Sequence, residues 1–429
     1  MTFSNYVSKK YTPEGVNNTI SLATSFGDAL KETYDFSKSA KSRRILSLDI
    51  FRAITMFLML FVNEFAEVKG LPHWLYHAQM REDMMGFSDT IFPAFLFAMG
   101  MAIPFAVQNR FRKGDTTFDV LKHILLRSVA LIVMGLFTVN KGSYDAAASG
   151  IPSAWYSLLM VTGFFLIWNV YPKADGWKKY VFRAMKIAGI ALLAYLFVIF
   201  VPKEGQSFGV KWWGILGLIG WSYLGCSLIY LLTRDYLGRN VTVMLLLVAC
   251  SLLTAAGVFK SVEFVGYIPS QPVLYSLSMA GVLASVIMKK YASTSSPGRF
   301  IAVMLAIGIV MFGAGLFAHK YWIISKILAT PTWLFYCCAM YFPLFALIYW
   351  IADVKGRGGW FDVIKPAGTL TLTCYIIPYI TGSLMSIMHV HWPAVTYAGT
   401  PGLVRSALYS LAVVWIAWLL SKIHIKLKI

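Results

Sequence analysis

Ile45-Leu46-Ser47-Leu48-Asp49-Ile50-Phe51-Arg52-Ala53-Ile54-Thr55-Met56-Phe57-Leu58-Met59-Leu60-Phe61-Val62-Asn63 is the stretch whose reading decides the fold. Wound as an α-helix it reaches roughly 28 Å, close to the ~30 Å hydrocarbon thickness of a bilayer. Asp49 and Arg52 stand three residues apart, so they share a helix face and can pair. Ionisable side chains inside a membrane span are costly and rare, and each is a functional candidate. Two readings of this pair are open. It is a buried structural ion pair, or Arg52 faces a cavity and meets an anionic ligand.

Comparable apolar runs recur along the chain. Runs of roughly 18 or more residues lie near 46–63, 89–108, 122–140, 153–171, 181–201, 212–233, 241–259, 271–288, 300–318, 332–352, 368–388 and 401–421. The expected fold is therefore all-α, a polytopic integral membrane protein of about twelve transmembrane helices. Composition agrees: 58% of the 429 residues are hydrophobic and 13% are charged, and mean hydropathy is +0.65. A soluble domain carries about 25% charged residues.

The net charge of +19 would suit a nucleic-acid partner, but its placement excludes that class. With the N-terminus cytoplasmic, 26 of the 38 lysines and arginines fall in the inward tail, loops and C-terminus, and 8 fall outside. The remaining four, Arg52, Arg127, Lys186 and Arg405, lie within spans. Cytoplasmic loops carry such an excess of Lys and Arg, and a miscount by one helix would scramble the alternation. Both termini are expected in the cytoplasm. Residues 1–44 form a polar tail, with room for a short surface helix over 12–33, and 45–429 form the membrane domain. The tail shows no sustained apolar core of a cleavable signal, so the first span reads as an uncleaved anchor. The five cysteines sit inside apolar stretches without zinc-site spacing.

Chemistry-bearing residues crowd into the first quarter of the chain. Asn63 ends the first span on the outer side, and a loop follows that holds His73, His77, Glu82 and Asp83. Histidine is the side chain best poised for proton transfer near neutral pH; a lone loop histidine is more often solvated and idle. The spacing His73-x3-His77 would also suit a metal, yet no third ligand is near and none is expected. Asp89 stands where the second helix would be N-capped, a structural role compatible with orienting an imidazole. Pro93 and Gly100 permit a kink and a close helix approach. Arg127 lies at the depth of Arg52, and two arginines at one depth suggest a phosphate site, although Arg127 can also snorkel.

In chain order, Ser47-Leu48-Asp49-x2-Arg52, Met59-Leu60-Phe61-Val62-Asn63, His77-Ala78 and Met85-Gly86-x2-Asp89-x2-Phe92-Pro93-x-Phe95-Leu96-Phe97 resemble the heparan-α-glucosaminide N-acetyltransferase family. Trp212-Trp213-Gly214, Ser325-Lys326-x2-Ala329-Thr330-Pro331-x-Trp333 and Asp353-Val354-Lys355-Gly356 are similar to its bacterial branch. The resemblance runs from about 44 to 380. It implies acetyl transfer from cytoplasmic acetyl-CoA, a co-substrate, to a sugar amine or hydroxyl beyond the membrane. His77 would match the essential histidine, Asn63 the important asparagine and Asp89 the acidic residue before Phe-Pro.

Asp49, Arg52 and Arg127 would then face the CoA phosphates. The expected setting is a bacterial inner membrane, with a glycan or amino-sugar acceptor, and a homodimer is an open possibility. Two departures bear on the acceptor: Gln79-Met80-Arg81-Glu82-Asp83 replaces a Trp and Gly of lysosomal members, and Leu370 replaces an Asn. From another class, a twelve-helix secondary transporter also fits the helix number and inward termini, but the repeat symmetry usual there is not visible. A non-enzymatic scaffold would leave the Asp49/Arg52 pair and the His77 loop without a purpose.

Overall fold

The computed structural model describes residues 45–172, 175–203, 208–210, 213–259, 269, 271–292 and 296–429. The tail 1–44, with its expected surface helix, and Trp212 lie outside the described residues.

Among the described residues, twelve longer helices follow one another: α1 (Leu46–Phe65), α2 (Phe87–Arg112), α3 (Thr117–Asn140), α4 (Ser153–Trp168), α5 (Trp177–Val198), α6 (Gly214–Thr233), α7 (Leu237–Ala255), α8 (Pro272–Tyr291), α9 (Pro297–His319), α10 (Pro331–Tyr349), α11 (Thr371–Ile387) and α12 (Gly399–Lys422). Each coincides with one of the apolar segments read from the sequence. Ten are long and apolar enough to cross a membrane, while α4 and α11 are shorter apolar helices. The protein is an all-helical polytopic membrane protein. At 1.5 Å per residue, α4 and α11 reach only about 24–26 Å, slightly less than a ~30 Å core.

Helix ends follow local chemistry rather than hydropathy. α3 starts at Thr117, five residues before the apolar run, because Thr116 and Asp119 cap it reciprocally, with Asp119 N to Thr116 Oγ1 at 3.2 Å and Thr116 N to Asp119 Oδ2 at 3.0 Å. α1 is capped from far along the chain: the Asp353 carboxylate accepts from Leu46 N and Ser47 N, both at 3.0 Å. Pro272, Pro297 and Pro331 open α8, α9 and α10 at first-turn positions, where a missing N–H costs nothing.

Burial sorts the helices into a centre and a rim. In α8, 83% of the spanning window is buried, against 17% in α5 and α7, so α8 lies at the centre and those two face lipid. α2 packs on α8 backbone to backbone. A β-carbon on Gly100 would stand 1.8 Å from the Ser278 carbonyl oxygen, and one on Gly281 would stand 2.0 Å from that of Phe97. Small residues permit such approach between spans. Ser285 Oγ then donates to Met101 O at 2.7 Å across the seam. On the other flank of α2, Phe97 meets Phe51 of α1 and Phe342 of α10 edge to face, at 5.8 and 5.3 Å between ring centres.

Candidate functional site

The site has two parts, at opposite ends of the antiparallel pair α1 and α2. At the start of α2, Asp89 is buried to 1% exposure. The helix begins at Phe87 with Gly86 as its N-cap, so Asp89 is the third helical residue and not the N-cap residue expected from the sequence. The reason is steric: a β-carbon on Gly86 would lie 1.9 Å from the Tyr76 carbonyl oxygen, so only glycine lets the preceding loop lie this close. From its position one turn in, the Asp89 carboxylate reaches back. Oδ2 accepts from Gly86 N at 3.2 Å and Ala78 N at 2.9 Å, and Oδ1 lies 2.7 Å from His77 Nδ1. Lys326 Nζ, from the loop between α9 and α10, lies 3.0 Å from the same Oδ1 and 2.8 Å from His77 Nδ1. Pro93 has no N–H to give the carbonyl four residues earlier, and Trp333 Nε1 donates to that Asp89 carbonyl at 3.4 Å.

The loop over 66–86 is held at many points. Lys69 N donates to Tyr397 O and Gly399 N to Lys69 O, both at 2.8 Å, which ties the loop to the start of α12. Ser88 Oγ donates to Leu75 O at 2.6 Å, and Ser325 Oγ to Met80 O at 2.9 Å. Two carboxylates clasp it further. Glu82 pairs with His73 Nε2 at 2.5 Å and accepts from Gln79 N at 2.9 Å. Asp83 pairs with His319 Nε2 and accepts from Ile324 N at 2.8 Å. The Gln79 N–H and then His73 hold the Glu82 carboxyl below its usual range. Burial pushes Asp83 up, but the Ile324 N–H and His319 leave it lowered on balance. His73 and His77 thus turn to different carboxylates rather than to one shared point. Burial draws the Lys326 ammonium below its ordinary value against the pull of Asp89.

At the other end lies a cavity of about 910 Å³, at the upper end of the ~300–1,000 Å³ usual for small-molecule sites. Its lining includes Arg52, Arg127, Lys365, Lys426 and Lys428 against one acidic side chain, Asp362. The structure therefore brings Arg52 and Arg127 to one cavity. The Arg127 guanidinium stacks over the Tyr223 ring at 4.7 Å, and its Nε is buried with no hydrogen-bond partner among the described residues. Asp49 stands behind Arg52 at 4.0 Å and is not among the described lining residues. The C-terminal segment brings its lysines here through its backbone N–H groups: Lys428 N donates to Trp168 O at 3.2 Å and Leu427 N to Thr373 Oγ1 at 3.0 Å. Leu370 also lines the cavity, at the far end of α1 from the loop that holds His77.

Arg52, Met56 and Met59 line the cavity in one stripe of α1, and Asn63 continues that stripe by one turn. Asn63 is exposed, and its amide has no hydrogen-bond partner among the described residues. From Arg52 to Asn63 the helix rises about 16 Å.

Sequence reasoning did not single out Lys326, Lys365, Lys426, Lys428 or Asp353. The lysines were legible only as loop charge, and Lys326 only as one letter of a resembling block.

The sequence model of the family described as "Domain of unknown function (DUF5009)" matches residues 44–271. Over 115 residues the chain is 34% identical to heparan-alpha-glucosaminide N-acetyltransferase of Homo sapiens, a stretch that is 27% of this chain and 16% of that protein. Over 141 residues it is 28% identical to the Mus musculus protein of the same name, 32% of this chain and 21% of that one. The resemblance to this family read from the residues is borne out, and the matched stretches span a small part of the curated relatives.

Proposed function

We propose, from the premise that this chain belongs to the DUF5009 family, that it is a transmembrane acyltransferase. It moves an acetyl group from acetyl-CoA on the cytoplasmic side to a sugar amine or hydroxyl on the other side. The observation that carries this reading is the two-ended arrangement: a basic cavity with an orphaned guanidinium nitrogen, and a histidine–carboxylate pair at the far end of the same two helices. Inward termini and all twelve helices crossing belong to the same reading, supported by the bias of 26 against 8 in Lys and Arg, and a bacterial inner membrane is the setting it implies.

Arg52 and Arg127 bind the CoA phosphates, with Lys365, Lys426 and Lys428 adding positive field. Asp49 keeps Arg52 extended toward them. A pantetheine arm of about 15–20 Å follows the Met56–Met59 stripe, long enough for the thioester to reach Asn63 without CoA crossing the ~30 Å core. The Asn63 amide donates to the carbonyl oxygen as it gains negative charge. The acceptor nitrogen or oxygen bonds to the carbonyl carbon while His77 Nε2 takes its proton. The C–S bond then breaks, and the proton returns to the departing thiolate. Asp89 holds Nδ1–H of the imidazole and so leaves the Nε2 lone pair outward.

The test is acetyl transfer to glucosamine by purified full-length protein in lipid nanodiscs. Loss of a general base costs roughly 10²–10⁴-fold, so His77→Ala falls by that factor while it still binds acetyl-CoA. Asp89→Asn falls between His77→Ala and the wild type. His73→Ala, whose partner is Glu82, keeps most of its activity. Native-rate transfer by His77→Ala sinks the assignment.

A further inference from the structure

Three atoms form a closed triangle at the extracytoplasmic end: Asp89 Oδ1 to His77 Nδ1 at 2.7 Å, His77 Nδ1 to Lys326 Nζ at 2.8 Å, and Lys326 Nζ to Asp89 Oδ1 at 3.0 Å. One nitrogen of the imidazole cannot serve both neighbours alike. If Nδ1 carries the proton, it donates to Asp89, and an ammonium at 2.8 Å would press its own hydrogens against that N–H. If Lys326 is an ammonium donating to Nδ1, the ring proton must sit on Nε2.

Lys326 is held there rather than wandering. Its preceding residue donates through Ser325 Oγ to Met80 O, and the turn after it is closed by Thr330 N to Ser325 O at 3.1 Å and Ala329 N to Lys326 O at 3.1 Å. Ala329 adopts the left-handed φ of +48° to make that turn. The Lys326 side chain is only 22% exposed, a setting in which the charged form of an amine is disfavoured.

We propose that Lys326 is a positioning residue of the transfer site, one whose protonation decides which ring nitrogen of His77 bears the hydrogen. The inference rests on the acyl-transfer reading above. With Lys326 neutral, Nδ1–H binds Asp89 and Nε2 is a free base. With Lys326 charged, Nε2 is a donor and the base is withheld. The site switches on when Lys326 passes its proton to Nδ1 and the Nε2–H proton leaves to solvent, a net loss of one proton with no other bond changed. Among the described residues, the charged and titratable groups that face Lys326 and the triangle are Asp89 itself on α2 and Cys337 on α10, with the His73–Glu82 pair in the loop and His319, at the end of α9, paired to Asp83 beyond.

The experiment compares wild type, Lys326→Met and Lys326→Arg in nanodiscs, with acetyl-CoA and glucosamine. In the wild type both Lys326 and His77 must be neutral, so the acid limb of log kcat/KM against pH reaches a slope of about two. In Lys326→Met it reaches about one, and the plateau drops less than about tenfold, because Asp89 still orients the ring. Lys326→Arg, permanently charged, loses about 10²–10⁴-fold at every pH. An ordinary structural ion pair gives the opposite order, with arginine tolerated and methionine not, and that order overturns the proposal. So do superimposed pH profiles for wild type and Lys326→Met.

The ¹⁵N shifts of the His77 ring, assigned by difference from His77→Gln, give a readout independent of turnover and of whether Lys326→Arg folds. At a pH on the acid limb, where wild-type Lys326 is charged and the ring is neutral, protonation should move from Nε2 to Nδ1 in Lys326→Met; an unmoved proton there overturns the proposal. Should His77→Ala prove fully active, the acyl-transfer reading fails while the ring shifts still report on Lys326.

Discussion

The carbonyl oxygen of Tyr76 fills the place where a β-carbon on Gly86 would stand, 1.9 Å from it. The residue after Tyr76 is His77, so this contact sets how deeply the imidazole approaches Asp89. Gly86→Ala must push that backbone away. A misplacement of about 1 Å can cost ~10²-fold in rate, and a loss of that order in transfer to glucosamine is expected. Acetyl-CoA affinity, read by calorimetry, should stay within about threefold because the cavity lies at the other end of α2. An equal loss of affinity and rate would mean that the contact supports the whole bundle.

Arg52→Ala and Arg127→Ala address the proposed nucleotide end. Hydrogen bonds to charged groups contribute about 1.5–3 kcal/mol, so each variant should weaken acetyl-CoA binding roughly ten- to hundredfold. Binding of S-acetylpantetheine, which lacks the nucleotide, should hardly change. Arg127 also gives up its stacking on Tyr223, so melting temperature is measured beside affinity. If both ligands weaken equally, the arginines are structural.

The clasps at Glu82 and Asp83 predict an acid-sensitive loop. Both carboxyls lie below their ordinary values of 4.5 and 3.8. A carboxylate whose folded pKa is depressed contributes stability above its unfolded pKa and loses it as pH falls through the folded one. Amide exchange over 66–86, corrected for its intrinsic pH dependence, should therefore be slow at pH 6 and rise from about pH 4 downward. Glu82→Gln and Asp83→Asn should exchange faster already at pH 6. Equal protection at pH 6 and pH 3 would show that the backbone ties hold the loop alone.

Orientation is tested on single-cysteine variants, in a background lacking the native five. A membrane-impermeant maleimide applied from outside should label cysteines at positions 79 and 142 and leave those at 113 and 355 untouched. Labelling at 113 would reverse the topology and remove acetyl-CoA from the basic cavity.

The spans were legible because a bilayer imposes length and apolarity together, and even the short α4 and α11 were found by composition. Helix starts were less so. Thr116 and Asp119 are polar, so an apolar window passed over the first turn of α3. Asp89 was recognised, yet three residues off its role, because only the Tyr76–Gly86 contact fixes where α2 begins. What could not be read were partners far apart in the chain. Lys326 lies 249 positions from His77, and Asp353 lies 306 from the Ser47 amide it caps. A lysine count reports a side of the membrane and is blind to which lysine turns inward.

Where α2 meets α8 at Gly100 and Gly281, main chain rests on main chain and no side chain lies between to act as a bearing. A carrier that exposes its cargo first to one side and then to the other needs a seam that parts or slides, and a seam this tight resists both. α2 carries Asp89 at one end and cavity wall at the other, so it behaves as a fixed strut through the middle of the protein. Whatever passes from the basic cavity toward His77 must thread past a stationary frame. On the proposed acyl-transfer reading the travelling part is the flexible tether of the donor, and the distance it can bridge becomes a ruler: acyl carriers with a shortened arm should dock normally and fail to deliver.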